Sequence, residues 1–564
     1  MNPSPSFLKA LDSNRDIGKG YQLALISLVV IVPFLVTRLP FYLYYPMVTL
    51  TPDSWTYSRP AFNILEGVLP QFDHRTPGYP LFIALVFKLF TGTNLSLVMA
   101  QTLLCLGAML SFVYVTYKYL GIRTALYAAL ALTAASNTIT FVWSETTYMT
   151  ESLYISFLII SLTCLIRALY SKNALCWVVT SLAMGYTVWI RPSGLFLILP
   201  MSLITAYIIK NPYPGRMWLA FVTPFALMML SLATYNLYTI GSFTLSPFGA
   251  NNIFAVTMPF METSKTLPPR VSKAFTDSVQ LRVPPNVRDI INNSWDIKEL
   301  HDAFFAVYPQ NLAVTLELKN ILPPPPGVAT PLMGLYPYMN DIARTSIKAH
   351  PLLYAKFVGV MFLYYFLNVT QDEAGLTAKE DIYNPITRYN IYTLISHYNT
   401  MKAATTDQNA AIIRQTLNEY AAPFPPQRPF YAMILGKQGT GVKVELLLIR
   451  PKETGFQTLS TSYLRYHKLL FKNILWVLLY LLAFFYGIYA LCKGRFSDAP
   501  ALIAVIIGSM PVLSAVLGSL VSVSYIRYSY AAEFCYYLTV ALLPTLLLNK
   551  THRGKRKTEI SYPL

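Results

Sequence analysis

A carboxylate, a cluster of aromatic residues and a basic residue follow the first long apolar stretch of the chain, at residues 21–43. The carboxylate is Asp53, which stands close to the membrane surface if that stretch spans a bilayer. A carboxylate beside lipid headgroups is partly dry, and this setting can raise its pKa and suit it to abstract a proton. The alternative interpretation is a plain loop in which Asp53 caps a helix.

Two surface helices are predicted to position this loop. Ser54–Glu66 has helical spacing, which places Tyr57 and several aliphatic residues on one face. The Pro77–Gly78 pair marks a break, and Tyr79–Phe90 is expected to form the second surface helix. Both helices would lie on the membrane.

Composition excludes several classes of protein. Of 564 residues, 54% are apolar and only 12% are charged, against roughly 25% charged in soluble proteins. The mean hydropathy is +0.43. These values exclude a disordered chain and indicate a polytopic membrane protein. The net charge of +18 is attributed to cytoplasmic Lys and Arg, because the basic residues form no stripe for nucleic acid.

Ten apolar stretches are long enough to cross a bilayer core of roughly 30 Å. They lie at about 21–43, 94–117, 124–142, 149–168, 175–190, 194–209, 217–240, 471–491, 499–522 and 528–548. Alternate short loops and the tail are rich in Lys and Arg, which places them in the cytoplasm. Arg191 and Arg527 fall on the opposite side and therefore need a local reason.

The predicted fold is an all-α polytopic membrane protein with about 10–11 transmembrane helices and a mixed α/β extracytoplasmic insertion. Residues 1–240 form an N-terminal membrane module, 241–470 the outer region and 471–564 a C-terminal module with a basic tail. Within the outer region, 431–435 and 442–449 flank a Gly-rich turn and predict a hairpin. The apolar stretch 352–369 is interpreted as a membrane-surface or re-entrant helix, with a full span as the alternative.

Several motifs resemble those of the C-type membrane glycosyltransferases (GT-C), in the branch that holds protein O-mannosyltransferases and the bacterial lipid A aminoarabinose transferase. In chain order they are Pro52-Asp53-Ser54, Arg75-Thr76-Pro77-Gly78-Tyr79-Pro80-Leu81-Phe82, Thr150-Glu151-Ser152-Leu153-Tyr154, Ile190-Arg191-Pro192-Ser193-Gly194-Leu195, Tyr235-Asn236 with Gly241-Ser242-Phe243, Lys348-Ala349-His350-Pro351 and Arg527-Tyr528. The resemblance covers 20–250 well, the last spans moderately and most of 260–470 hardly at all.

The resemblance implies a transferase that moves a sugar from a polyprenyl-phosphate carrier to an acceptor on the outer face. A phosphate ester leaves as a weak base, whereas an acceptor hydroxyl needs a general base. One carboxylate, Asp53, therefore suffices for direct inverting displacement. The leaving phosphate needs cations in a region of low dielectric, and Arg75, Arg191 and Arg527 are the candidates. Headgroup contact or snorkelling is the alternative for these arginines.

Further site residues follow from the same resemblance. Glu151 is expected to orient the acceptor or support Asp53, with interaction with a helix dipole as the alternative. The pocket is expected to include Tyr57, Tyr79, His74 and Glu145, although tyrosines also form interface belts. No metal ligand set is predicted and no cofactor is certain. A divalent metal ion held by the Asp73-His74 pair beside Glu151 is the one possibility.

The expected partners are a polyprenyl-phosphate-sugar donor, membrane lipids and an acceptor that is lipid A, a cell-envelope glycan or a protein. No nucleic acid is expected. The expected location is a bacterial inner membrane, with the active site on the periplasmic face. A transporter or lipid flippase is the main alternative, and a silent receptor is a third. Transporters place charges within spans, whereas here nearly every charge stands at a span end, Glu533 being the main departure.

Overall fold

The fold was determined as a computed structural model, in which nearly every element is helical. It describes residues 18–44, 54–70, 72, 75–90, 94–145, 147–171, 173–209, 214–263, 267–308, 310–322, 331–367, 430–438, 441–449, 474–494, 498–521 and 526–552. The architecture confirms the predicted polytopic α-helical fold. Apolar runs form helices in a membrane because a helix satisfies every backbone N–H and C=O within one segment, where no water is available as a partner.

The N-terminal module contains ten α-helices within the described residues. They are α1 (Gly18–Tyr44), α2 (Ser54–Leu65), α3 (Gly78–Leu89), α4 (Asn94–Leu120), α5 (Ile122–Ser136), α6 (Ile139–Glu145), α7 (Glu151–Ser171), α8 (Ala174–Ile190), α9 (Ile198–Ile209) and α10 (Pro214–Ile240). A 3₁₀ helix at Pro192–Leu197 leads into α9. The helices α2 and α3 confirm the two predicted for the first outer loop.

All ten predicted spans are helical, but only seven helices in the described part of the chain are long and apolar enough to cross a membrane by themselves. Two predicted spans are shorter, Ile122–Ser136 and Ala174–Ile190, and the last predicted span lies within the 27-residue helix Ile526–His552. The predicted span 124–142 is interrupted, because α5 ends at Ser136 and α6 begins at Ile139.

The C-terminal helices are α18 (Ile474–Lys493), α19 (Ala499–Val521) and α20 (Ile526–His552). They pack into the same apolar core as the N-terminal module. The ring centroids of Phe141 and Phe534 are 5.0 Å apart. The hydroxyls of Thr124 and Thr545 are 2.6 Å apart near the opposite end of the bundle. The two membrane modules therefore form one bundle.

The outer region begins with helices that build apolar clusters of their own. They are α11 (Gly249–Thr257), α12 (Pro269–Arg282), α13 (Pro285–Asn293), α14 (Ile297–Val307), α15 (Gln310–Ile321), α16 (Pro331–Ala349) and α17 (Pro351–Leu367). The strands β1 (Phe430–Gln438) and β2 (Gly441–Ile449) pair antiparallel, with Phe430 opposite Ile449. The strands run further into the Gly-rich segment than expected. The remainder of the α/β insertion stays a prediction.

The helix α17 corresponds to the ambiguous apolar stretch. The hydroxyl of Tyr354 donates to the carbonyl of Leu520, at the outer end of α19, over 2.6 Å. Farther along, the Tyr364 ring stacks on His301 at 3.7 Å. The exposed ion pair between Lys298 and Asp302 stands beside that contact. The helix α17 thus packs along the outer part of α19, and its interpretation as a surface or re-entrant helix stays a prediction.

Candidate functional site

The first candidate cluster is an ion pair between two helix ends. Glu151 is the first residue of α7, where a carboxylate is stabilised by the helix dipole. Arg191 follows the last residue of α8. Its Nη1 lies 3.0 Å from Glu151 Oε1, with side-chain exposures of 17% for Arg191 and 3% for Glu151. The structure therefore brings together two predicted site residues that are far apart in sequence.

Two tyrosines that sequence reasoning missed stand beside this pair. The Arg191 guanidinium lies 5.8 Å from the ring centroid of Tyr154, on α7. Tyr365, on α17, is close enough for its hydroxyl to interact electrostatically with Arg191 and Tyr154. Its hydroxyl also donates to Ser514 Oγ over 2.8 Å. Tyr154 closes the quoted Thr150–Tyr154 motif but was given no role there, whereas Tyr365, one of 41 tyrosines, carries no sequence signal.

The second cluster belongs to the first outer loop. Arg75 Nε donates to Thr56 Oγ1 over 2.8 Å, and its guanidinium lies 4.7 Å from the Tyr57 ring centroid. The Tyr57 ring meets Tyr79 edge-on, with centroids 5.1 Å apart. A guanidinium on an aromatic face is held in place by the ring. The contacts unite three predicted site residues, Arg75, Tyr57 and Tyr79.

The Pro77–Gly78 turn connects the two clusters. Thr76 Oγ1 donates to the carbonyl of Ile190 over 3.1 Å, and the Tyr186 hydroxyl donates to the carbonyl of Gly78 over 2.8 Å. A Cβ on Gly78 would stand 2.6 Å from the backbone nitrogen of Ile190. Only glycine allows this approach. The turn thus fixes the first outer loop against the end of α8, one residue before Arg191.

Glu145 was expected in the substrate pocket, and the structure places it in a buried ion pair. Its side chain is fully buried, and Oε2 accepts from Arg38 Nε over 2.7 Å. Glu145 therefore contacts an arginine inside the bundle, and its place in the substrate pocket stays a prediction.

Arg38 is a further residue that sequence reasoning missed. A signal existed, because Arg38 lies within the first predicted span. An arginine there requires a buried partner or a function. It is the single charged residue in the stretch 21–43.

Three predicted site residues cannot be located by their side chains. Asp53 and His74 lie outside the described residues, as does Asp73. Arg527 lies in the first turn of α20, but its side chain is outside the described part. Their roles remain predictions.

The divalent metal ion considered for the Asp73-His74 pair stays a possibility drawn from the sequence. Among the residues that the structure describes, no group of three or more His, Cys, Asp or Glu side chains could hold a metal ion. The suggested ligands Asp73 and His74 are not among those residues.

Comparison with solved structures reveals distant likenesses. The oligosaccharyltransferase of Archaeoglobus fulgidus, in the apo form, is 12% identical over 96% of this chain and 52% of its own, with a TM-score of 0.37. ArnT from Cupriavidus metallidurans, bound to undecaprenyl phosphate, is 12% identical over 96% of this chain and 82% of its own, with a TM-score of 0.30. The chain thus spans about half the length of the Archaeoglobus enzyme.

Comparison of sequences gives one family match. No curated protein sequence matches the chain. Residues 74–238 match the family described as dolichyl-phosphate-mannose-protein mannosyltransferase. That segment includes Arg75, Tyr79, Glu151 and Arg191, hence most of both clusters. The match over residues 74–238 confirms the predicted resemblance to GT-C glycosyltransferases of the protein mannosyltransferase branch.

Proposed function

We propose that this protein is a membrane glycosyltransferase that uses a polyprenyl-phosphate-linked sugar as its donor. The family match over residues 74–238 is the observation that carries the proposal. It supports the reaction class, whereas the sugar and the acceptor stay open among lipid A, a cell-envelope glycan and a protein. The location proposed for the site is the periplasmic face of a bacterial inner membrane.

In the proposed reaction, an oxygen of the acceptor hydroxyl attacks the anomeric carbon of the donor sugar. The bond from that carbon to the phosphate oxygen breaks, and polyprenyl phosphate leaves with the electron pair. The hydroxyl proton passes to Asp53 as general base. Because the displacement is direct, the configuration at the anomeric carbon is inverted. No acid is needed for the leaving group.

The arginines supply the charge that the leaving phosphate requires. Arg191 remains partly exposed and is held by Glu151, and Arg75 is held over an aromatic ring. Fixed cations in a poorly hydrated site stabilise a departing anion more than mobile ones in water, because they need no reorganisation. We assign both to the donor phosphate, with Arg527 as a third candidate. Besides orienting the acceptor or supporting Asp53, Glu151 holds Arg191 in place.

The test is transfer of labelled sugar in proteoliposomes, with a panel of undecaprenyl- and dolichyl-phosphate sugars as donors and envelope extracts as acceptors. Wild type is compared with Asp53→Asn and with a control, Asp277→Asn, an exposed carboxylate on the outer helix α12. We expect transfer by wild type and Asp277→Asn, and its loss in folded Asp53→Asn. Equal transfer by all three proteins would remove Asp53 as the base.

The same vesicles test the main alternative. A transporter or lipid flippase would move labelled carrier between leaflets without forming a covalent product. Movement without product in wild type would therefore reject the transferase. Product with inverted anomeric configuration would support it, and retained configuration would contradict direct displacement.

A further inference from the structure

A second arginine–glutamate pair lies deeper in the bundle than the Glu151–Arg191 pair. The side chains of Arg38 and Glu145 are 2% and 0% exposed. Besides its bond to Glu145, Arg38 donates from Nη1 to Asn137 Oδ1 over 2.6 Å and from Nη2 to the carbonyl of Ser136 over 2.5 Å. All three guanidinium nitrogens are therefore engaged, and they hold the break between α5 and α6.

Stability alone does not explain such a pair. Removing two charges from water costs several kcal/mol for each ion, and apolar side chains of similar volume are often as stable or more so. Charged residues inside membrane segments accordingly tend to serve a function. The Arg38 guanidinium is sealed from solvent, so it cannot take part by binding a substrate. Any effect of Arg38 on the reaction must therefore pass through the residues that it contacts.

A chain of hydrogen bonds leads from the pair to the first outer loop. The backbone carbonyl of Glu145 accepts from Gln101 Nε2 over 3.0 Å. Gln101 Oε1 accepts from the Tyr79 hydroxyl over 2.6 Å. Gln101 and Tyr79 are completely buried. Because water cannot replace either bond, the position of Glu145 fixes the Tyr79 ring.

The Tyr79 ring in turn determines where the loop cluster lies, that is, the cluster of Arg75, Tyr57 and Tyr79 in the first outer loop. It meets Tyr57 edge-on at 5.1 Å, and Tyr57 carries the Arg75 guanidinium on its face at 4.7 Å. A displacement of Tyr79 is therefore passed to Arg75 through two ring contacts. In addition, Glu145 ends α6, only a short segment before Glu151.

We propose that Arg38 and Glu145 are positioning residues, which act through Gln101 and Tyr79 on the loop cluster that holds Arg75. This inference rests on the proposed function, since it assigns a task to residues outside the reacting groups. Neither residue touches the substrate. Their task is to hold the ring on which the cationic site is built.

The experiment is a mutant cycle with four proteins. Arg38→Met/Glu145→Leu removes both charges and keeps the volume, Tyr79→Phe removes only the bond to Gln101, and the third variant combines them. Displacements near 1 Å lower rates by up to about a hundredfold, so we expect the first two variants to lose roughly tenfold to a hundredfold in kcat/KM. The thermal midpoint of the double variant should stay near that of wild type.

The decisive result is the combined variant. If both changes act through one link, their effects do not multiply, and the combined loss equals the larger of the two. A merely structural role would give losses that multiply or that follow the thermal midpoint. The control is Thr124→Val, which removes a bond of 2.6 Å at the far end of the bundle. It should leave transfer within about twofold, as expected for a distant, independent site.

Amide hydrogen exchange in α2 gives a second readout that needs no activity. Each of the first two variants should speed exchange over residues 54–65, and the combined variant should speed it no further. If wild type transfers no sugar, the proposed function fails, and exchange in α2 still decides the positioning role. Unchanged exchange in the double variant would overturn the inference. Multiplying losses in an active enzyme would overturn it while leaving the proposed function intact.

Discussion

Gly78→Ala is the substitution whose effect follows most directly from the structure. A Cβ at this position would stand 2.6 Å from both Ile190 N and the carbonyl carbon of Trp189. Both are backbone atoms, so no side chain can rotate away. The α3 turn and the end of α8 must separate by about 0.8 Å to reach ordinary contact.

The expected loss of folding stability has two parts. Overpacking costs about 1–3 kcal/mol, and the weakened hydrogen bonds of Thr76 and Tyr186 add about 1 kcal/mol each. Arg191 follows the displaced backbone directly, so transfer should fall by roughly tenfold to a hundredfold. The assays are thermal unfolding in detergent and sugar transfer in proteoliposomes.

A matched control is available on α4. A Cβ on Gly107 would meet no atom within 4 Å, so Gly107→Ala should be neutral or stabilise by up to about 1 kcal/mol through helix propensity. We expect normal transfer in this variant. If Gly78→Ala unfolds at the wild-type temperature and transfers at the wild-type rate, the close approach of the two segments is refuted.

Three further outcomes are expected. Glu151→Gln should lower stability by about 3 kcal/mol, because it leaves Arg191 partly buried without its carboxylate; a thermal midpoint equal to that of wild type would contradict the pairing. Tyr235→Phe removes a 2.6 Å bond to a backbone carbonyl of the first outer loop, and we expect slower transfer with unchanged secondary structure by circular dichroism. The hydrogen bond from Ser278 lowers the pKa of Glu317 from its usual 4.5. Its stabilisation is therefore present above that value and is lost as pH falls through the lowered pKa. Glu317→Gln should accordingly destabilise the outer helices at neutral pH and make little difference at acid pH, as measured by thermal melts across that range.

The helices were predictable from sequence because the length of an apolar run is a local property. The interruption between α5 and α6 was not, because apolar residues continue through Phe141 and Val142. The break occurs where Asn137 accepts a hydrogen bond from Arg38, which lies 99 positions earlier in the chain. A tertiary contact thus overrides the hydropathy pattern.

The sequence singled out candidate site residues but not the contacts between them. Glu151 and Arg191 were singled out by motif resemblance and by the exception that Arg191 makes to the positive-inside rule. Their pairing depends on how α7 and α8 pack, which sequence spacing does not specify. Tyr365 enters the site only because α17 folds back against α19. The buried pair of Glu145 with Arg38 likewise depends on packing that sequence spacing does not specify.

The two arginine–glutamate pairs differ in what each can do with a substrate. Arg191 keeps 17% of its surface exposed, so the phosphate of a donor can compete with Glu151 for it. Arg38 keeps 2% and has its nitrogens engaged by protein groups, so no anion can reach it without unfolding the end of α1. The difference in exposure therefore supports the two proposals, binding for the Arg191 pair and positioning for the Arg38 pair. Charge alone would have given both arginines the same role.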